Sequence, residues 1–317
     1  MTRMRNLFHM VNLKEKRDVF MKKNLLTYAV LLSMIACTGT GCSSAIDQNA
    51  DVTSTAAENS EVSSPEDTEP AETAEPTTEA PTEPPMLEKA EELLAQNPDT
   101  IGYIRVPGTD VDNPVVQTTD NDYYLHIGFD GQDYRAGTVF MDFRNVFSWK
   151  EEEHSENIVL YGHNMADNTM FGSLRRYRQD LEFYKESPFV KFSSNYEEYT
   201  YVIFGLVITA GAATPPNDDV YADPMTWEGF PYWNMEELDD EKHFNYYVDT
   251  IESMNMIENP VDVEFGDELL TLSTCYSDED NSRFLIVARK LREGETEASL
   301  MEAINGGAEA ETSASAE

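Results

Sequence analysis

Cysteine is nearly absent from this 317-residue chain, which holds three: Cys37, Cys42 and Cys275. Two of them fall within the first 42 residues, so the remainder cannot be held by an internal disulfide framework. Basic side chains are scarce too, 22 Lys and Arg against 60 Asp and Glu, for a formal net charge of -38. Phosphate binding relies on Lys and Arg, so nucleic acid is excluded as a partner. Long apolar runs are also missing. The best stretch, Leu25 to Ala36, falls short of the roughly 20 residues that a spanning helix needs. What is present is a 40 % hydrophobic and 11 % aromatic composition. That excludes a wholly disordered chain and suffices for a sizeable core.

Charge divides the chain into four expected segments. Residues 1–42 carry seven basic and two acidic side chains. Met21-Lys22-Lys23 followed by the apolar run is a secretory signal pattern, and Met21 could itself be the start. Gly41-Cys42-Ser43-Ser44 resembles the end of a bacterial lipoprotein signal, with Cys42 the lipidated residue. Cys37 is a second possible site, and an uncleaved signal anchor extending through Gly41 is the alternative. Each reading places the rest of the chain on the extracytoplasmic side of a membrane, attached through the N-terminus. Residues 43–85 hold eleven acidic and no basic side chains among Ser, Thr, Pro and Ala. Such a stretch cannot offset its ordering entropy and is expected to be a disordered, self-repelling spacer. Residues 293–317, with seven acidic and no basic side chains, are expected to be a disordered tail. The folded segment is 86–292.

Within that segment Leu87, Ala90, Leu93 and Leu94 predict a helix over 86–96, ended by Asn97-Pro98. Short β-branched or apolar runs follow at 102–106, 115–117, 137–141, 157–161, 200–210, 261–264, 269–274 and 284–290, several separated by Gly, Pro and Asn turns. Helical spacing also appears at 170–184, through Leu174, Tyr177, Leu181 and Tyr184. It recurs at 236–254, through Leu238, Phe244, Tyr247, Val248 and Ile251. The pattern predicts a mainly β fold: a closed or nearly closed barrel with an N-terminal helix and helical insertions.

Three features carry chemistry. His163 follows the apolar run 157–161. Cys275 ends Thr271-Leu272-Ser273-Thr274-Cys275. Arg283 opens the last strand-like run. A free thiol has a pKa near ~8.5 and needs a partner to ionise at neutral pH. An imidazole can support the thiolate and later protonate a leaving amine. A guanidinium keeps its charge and can donate to an oxyanion or orient a carbonyl. Arg289 shares Arg283's strand face and is a second candidate for this role.

These residues resemble the sortases, cysteine transpeptidases of Gram-positive surfaces, which carry a T-L-x-T-C signature, an upstream His and a downstream Arg. The resemblance spans about residues 87–291 and looks most like class B. That class has a helix before the barrel and a long helix between its sixth and seventh strands. Asp120 to Leu125 and Phe140 to Asn145 also look like class B segments. The resemblance implies a sortase-type barrel with Cys275, His163 and Arg283 as catalytic residues. It implies Asn121, Leu125, Ser273 and Thr274 as substrate-groove residues. The activity implied is cleavage of a C-terminal sorting motif, of NPQTN type or S/P-P-x-T-G type, through a thioester, with transfer to a peptidoglycan precursor or cross-bridge amine. The partners implied are surface proteins bearing that motif, and no cofactor or metal is implied. The alternatives are a pilin-polymerising or hydrolytic sortase-like peptidase, or a non-catalytic wall-binding lipoprotein. His126, His154 and His243 read as surface or structural. Tyr123, Tyr124, Tyr221 and Trp227 could border a groove but are of the type that usually packs.

Overall fold

Eight strands close on themselves in the computed structural model, which describes residues 82–276 and 281–314, with side chains as far as 306. The N-terminal segment with Cys37 and Cys42, and nearly all of the acidic spacer, lie outside the described residues. In chain order the strands are β1 Thr100–Arg105, β2 Asp112–Val116, β3 Phe140–Met141, β4 Asn157–Tyr161, β5 Phe189–Ser194, β6 Glu198–Ala210, β7 Leu269–Tyr276 and β8 Ser282–Lys290. Around the barrel they run β1-β2-β3-β4-β7-β8-β6-β5, and β5 pairs back onto β1. The β2–β3 and β4–β7 pairs are parallel and the others antiparallel. The fold is therefore the closed, mainly β barrel that the strand spacing predicts.

β7 sits at the centre of the architecture that matters. Its residues 269–274 are all buried, between β4 on one side and β8 on the other. Thr271 is polar in this setting and is fully satisfied. Its Oγ1 donates to Asn157 Oδ1 (3.0 Å) on β4 and accepts from the Tyr247 hydroxyl (2.6 Å). Buried polar groups must be paired in this way, so the first Thr of the T-L-x-T-C run is a structural pin.

Tyr247 belongs to the long helix, numbered α4 after α1 Glu88–Leu94, α2 Arg175–Gln179 and α3 Phe183–Glu186. α4 spans Glu241–Ser253 and buries Phe244, Tyr247, Val248 and Ile251, the face expected from their spacing. It starts later than Glu236 because Asp240 caps it, accepting from the backbone N–H of Lys242 and His243 at 3.0 and 3.3 Å.

Four expectations are corrected. The single helix over 170–184 is instead a short 3-10 turn followed by α2 and α3, broken at Asp180. That residue adopts an extended conformation, and its Oδ1 accepts from the backbone N–H of Glu182 (3.2 Å). Leu181, expected on the buried stripe, consequently points outward. Residues 261–264 form no strand, because side chains take their backbone groups. Val261 N–H donates to Asn259 Oδ1 (2.9 Å), Glu264 N–H to Asp267 Oδ2 (2.8 Å), and Asp262 O accepts from Arg289 Nε (2.7 Å). β5, a short strand of Phe-Val-Lys-Phe-Ser-Ser, was not expected. Finally, the tail begins with a helix, α5, over Glu297–Ala314. Thr296 and Ser299 cap it reciprocally, each Oγ accepting the other's backbone N–H at 3.1 Å. Leu300 and Ile304, one turn apart, are buried in the core.

Candidate active site

The C-terminal ends of β4 and β7 lie side by side, with Tyr161 beside Ser273 in the parallel ladder. Two residues further along each chain stand His163 and Cys275. A strand's side chains repeat every two residues, so Cys275 shares the face of Ser273 on β7, while His163 lies in the turn just past β4 and lines the same cleft. Across the antiparallel β7–β8 ladder Cys275 is directly opposite Arg283. Opposed residues of such a pair have Cβ atoms about 5 Å apart. The thiol is free and exposed.

The His163 turn is tied down on both sides. Asn164 Nδ2 donates to Cys275 O (2.9 Å), joining the turn to β7. Thr274 Oγ1 donates to Gly162 O (2.7 Å). A side chain at Gly162 would drive a Cβ to 2.7 Å from the Phe171 ring, so the turn needs glycine to pack. The ring nitrogen His163 Nε2 lies 2.9 Å from Leu125 O. A carbonyl only accepts, so Nε2 carries the proton and Nδ1 is left as the nitrogen that can exchange one. Arg283 has room for its fork because residue 211 is glycine, where a Cβ would sit 2.7 Å from Nη1.

These groups line one open cleft of about 250 Å³. All seven residues singled out from the sequence border it: Cys275, His163 and Arg283, with Asn121, Leu125, Ser273 and Thr274. Thr274 is buried and its hydroxyl is committed to Gly162, so its contribution is positional. The Ser273 hydroxyl is paired with Tyr232 OH (2.7 Å). Burial pushes the Tyr232 phenol up to about 12, so it stays a hydroxyl. A larger hollow of about 410 Å³, between Asn113, Tyr134 and Met170, contains none of the thiol, imidazole or guanidinium groups.

Two cleft residues, Tyr232 and Trp233, had no sequence signal and come from the connection between β6 and α4; Tyr161 and Phe140, in runs expected as strands, also line the cleft. Behind them, Asp142 is 1 % exposed. Burial pushes its carboxyl up, but the hydrogen bonds and charge of Arg144 outweigh this and hold it below the usual carboxylate range. Arg289, the second guanidinium candidate, lies at the far end of β8 opposite Leu269. Six residues of strand separate it from Arg283, about 20 Å. It is 0 % exposed and held by Glu295 at 2.7 and 2.8 Å, so it is a structural ion pair. His154 is buried with its Nε2 on Ser148 O (2.9 Å), and His243 pairs with Asp223 and Asp240. His126 is exposed, its ring 6.5 Å from that of His163. Tyr221 is 72 % exposed and does not border the cleft. Among the described residues no group of three or more His, Cys, Asp or Glu could hold a metal ion.

Comparison with known proteins agrees with this geometry. A family model described as the sortase domain matches residues 104–291. Sortase B of Listeria monocytogenes is 30 % identical over 195 residues, covering 62 % of this chain and 70 % of that protein. Sortase B of Staphylococcus aureus is 30 % identical over 211 residues, covering 66 % and 75 %. Among solved structures, Clostridium perfringens sortase B superposes with a TM-score of 0.52 at 28 % identity, covering 64 % of this chain and 99 % of that one. A Staphylococcus aureus sortase B–substrate complex gives 0.53 at 27 % identity, covering 66 % and 87 %. The matched region runs from late β1 through the end of β8, which is the barrel and its cleft together, and on that ground this chain belongs to the sortase family of cysteine transpeptidases and is class B-like.

Proposed function

We propose that the protein cleaves a C-terminal sorting motif of secreted surface proteins and transfers them to a peptidoglycan amine. The reading rests above all on Cys275 facing Arg283 across the ladder, in the same cleft that His163 lines. The Cys275 thiol passes its proton to His163 Nδ1, and the sulfur attacks the carbonyl carbon after the motif's Thr, forming the S–C bond while the C=O π electrons move onto oxygen. The negative charge that develops on the carbonyl oxygen is met by the Arg283 fork, a preorganised donor in place before the reaction. His163 gives a proton to the departing amine as the C–N bond breaks, leaving a thioester on Cys275. The incoming amine passes a proton back to His163 and attacks the thioester carbon. The new amide forms as the C–S bond breaks, and His163 returns its proton to the sulfur to restore the thiol.

Asn121, Leu125, Ser273 and Trp233, which line the cleft, would border the peptide. We further propose that residues 1–42 hold the domain at the outer face of the membrane, through a lipid on Cys42 or as a retained anchor. The acidic spacer would then carry the barrel into the wall.

The test is product analysis. The protein is mixed with sorting peptides of both the NPQTN and S/P-P-x-T-G types, with and without an oligoglycine or a diaminopimelate amine. A ligated product by mass, dependent on the amine and lost in Cys275→Ala, is expected. Cleavage with only hydrolysed product would make the protein a peptidase. Cleavage that persists in Cys275→Ala would remove the thiol from the mechanism.

A further inference from the structure

Three walls of the cleft come from chain segments far apart in sequence, and all three are tied to one buried carboxylate that does not itself line the cleft. The first wall is Asn121, whose Nδ2 donates to Asp142 Oδ2 (2.9 Å) while its Oδ1 accepts from the Phe143 N–H (3.0 Å). The second is β4, where the Tyr161 hydroxyl donates to the same Oδ2 (2.8 Å). The third is the turn Tyr232–Asn234, reached through Arg144. That guanidinium holds Asp142 in a two-pronged grip, Nε to Oδ1 at 2.8 Å and Nη2 to Oδ2 at 2.7 Å, and extends Nη1 to Asn234 Oδ1 (3.0 Å). The turn carries Tyr232, which bonds Ser273, and Trp233, which borders the cleft.

We infer that Asp142 is a positioning residue for the sorting peptide: through Asn121, Tyr161 and the Arg144–Asn234 link it sets the width and alignment of the groove in which the peptide meets Cys275. This rests on the peptide-cleaving reading above. The chemistry favours a carboxylate here and no neutral isostere. Asp142 accepts five hydrogen bonds, two from the Arg144 side chain, one from the Arg144 backbone N–H (3.0 Å), and one each from Asn121 and Tyr161. Every neighbour is a donor. An amide would turn an NH2 group onto donors and leave the guanidinium partly unpaired, so the three walls would lose their common anchor. Bidentate guanidinium–carboxylate pairs also fix orientation as well as distance. A shift of about 1 Å in a positioning group can cost up to about a hundredfold in kcat/KM.

The test uses the full chain and two variants. Asp142→Asn removes the anchor. Asn234→Ala cuts only the side-chain link to the turn, at a half-buried position, and so keeps the question answerable if Asp142→Asn does not fold. Two rates are measured on each: cleavage of a cognate sorting peptide, split into kcat and KM, and alkylation of Cys275 by iodoacetamide, a reagent too small to need the groove. The expected result is a fall in kcat/KM of about tenfold or more, carried mainly by KM, with alkylation within about twofold of the parent. Cleavage within about twofold of the parent in every variant that folds would overturn the inference, while the function would stand. Equal losses in alkylation and cleavage would overturn it too, because they would mean general disruption of the site. If the parent chain alkylates normally but cleaves no sorting peptide, the proposed function fails first and this inference falls with it.

Discussion

Glu236 offers a quantitative test of how the cleft's back wall is built. It follows the Tyr232–Asn234 turn, and its backbone carbonyl accepts from the Asn157 N–H (3.2 Å) at the start of β4. Its carboxyl is turned inward. Oε2 is sealed from solvent and has no hydrogen-bond partner among the described residues. Burial pushes this carboxyl from 4.5 up to about 7; the Arg144 charge opposes the rise and the Asp142 and Glu237 charges add to it. Between pH 4.5 and 7 the folded chain therefore holds a proton that the unfolded chain has released. Folded-state stability must fall as pH rises through that window and level off above it. Converted at 1.36 kcal/mol per pH unit, the full excursion is about 3 kcal/mol. Glu236→Gln removes the titration while keeping the shape. Urea unfolding of parent and variant at pH 4.5, 6 and 8, followed by tryptophan fluorescence, isolates this group, because every other titration is common to both chains. Relative to the parent, the variant is expected to gain about 3 kcal/mol between pH 4.5 and 8. A stability difference that stays flat with pH, or one that moves in the parent's favour between pH 4.5 and 8, would refute the reasoning. Either would mean that Arg144 pairs with this carboxylate as well as with Asp142.

Other substitutions probe separate parts of the structure. Gly211→Ala places a Cβ 2.7 Å from Arg283 Nη1 and 2.9 Å from the Asn281 backbone oxygen, so peptide turnover should drop about tenfold or more together with a fall in melting temperature; unchanged turnover would show that the Arg283 fork has slack. Tyr247→Phe deletes the 2.6 Å bond to Thr271 and should cost about 1–2 kcal/mol of stability in a denaturant titration, with KM for the peptide unchanged. Ile304→Asp buries a charge where α5 meets the core. It should release the helix and make residues beyond about 293 sensitive to limited proteolysis, whereas a resistant tail would contradict the docking of α5.

The chemistry was legible because its residues sit at strand ends in recognisable local runs. Thr271 to Cys275 reads as a strand with a thiol at its tip, and Arg283 as the head of the next strand. The antiparallel ladder then places the two opposite each other. Parity alone could not separate Arg283 from Arg289, since both lie on one strand face. Depth along the strand decides: Glu295, Asp262 and Asp267 surround Arg289 at the far end. The helix in the tail was hidden by an acidic, small-residue composition in which two apolar side chains, Leu300 and Ile304, carry the docking. The break at Asp180 and the missing strand at 261–264 share a cause. Short polar side chains there take over backbone groups that a helix or ladder would have used. Nothing in the sequence tied the members of the Asp142 network to one another. They lie at 121, 142, 144, 161 and 234, and only closure of the barrel brings them together.

The central claim is that Cys275 becomes covalently bonded to the peptide it cleaves. Intact-protein mass spectrometry after rapid acid quench, with sorting peptide present and no acceptor amine, tests it most directly. The expected spectrum shows the chain heavier by the N-terminal half of the peptide, with the added mass mapping to Cys275 and discharged by adding amine. A chain that cleaves the peptide yet never gains that mass, or gains it equally well in Cys275→Ala, would contradict the claim.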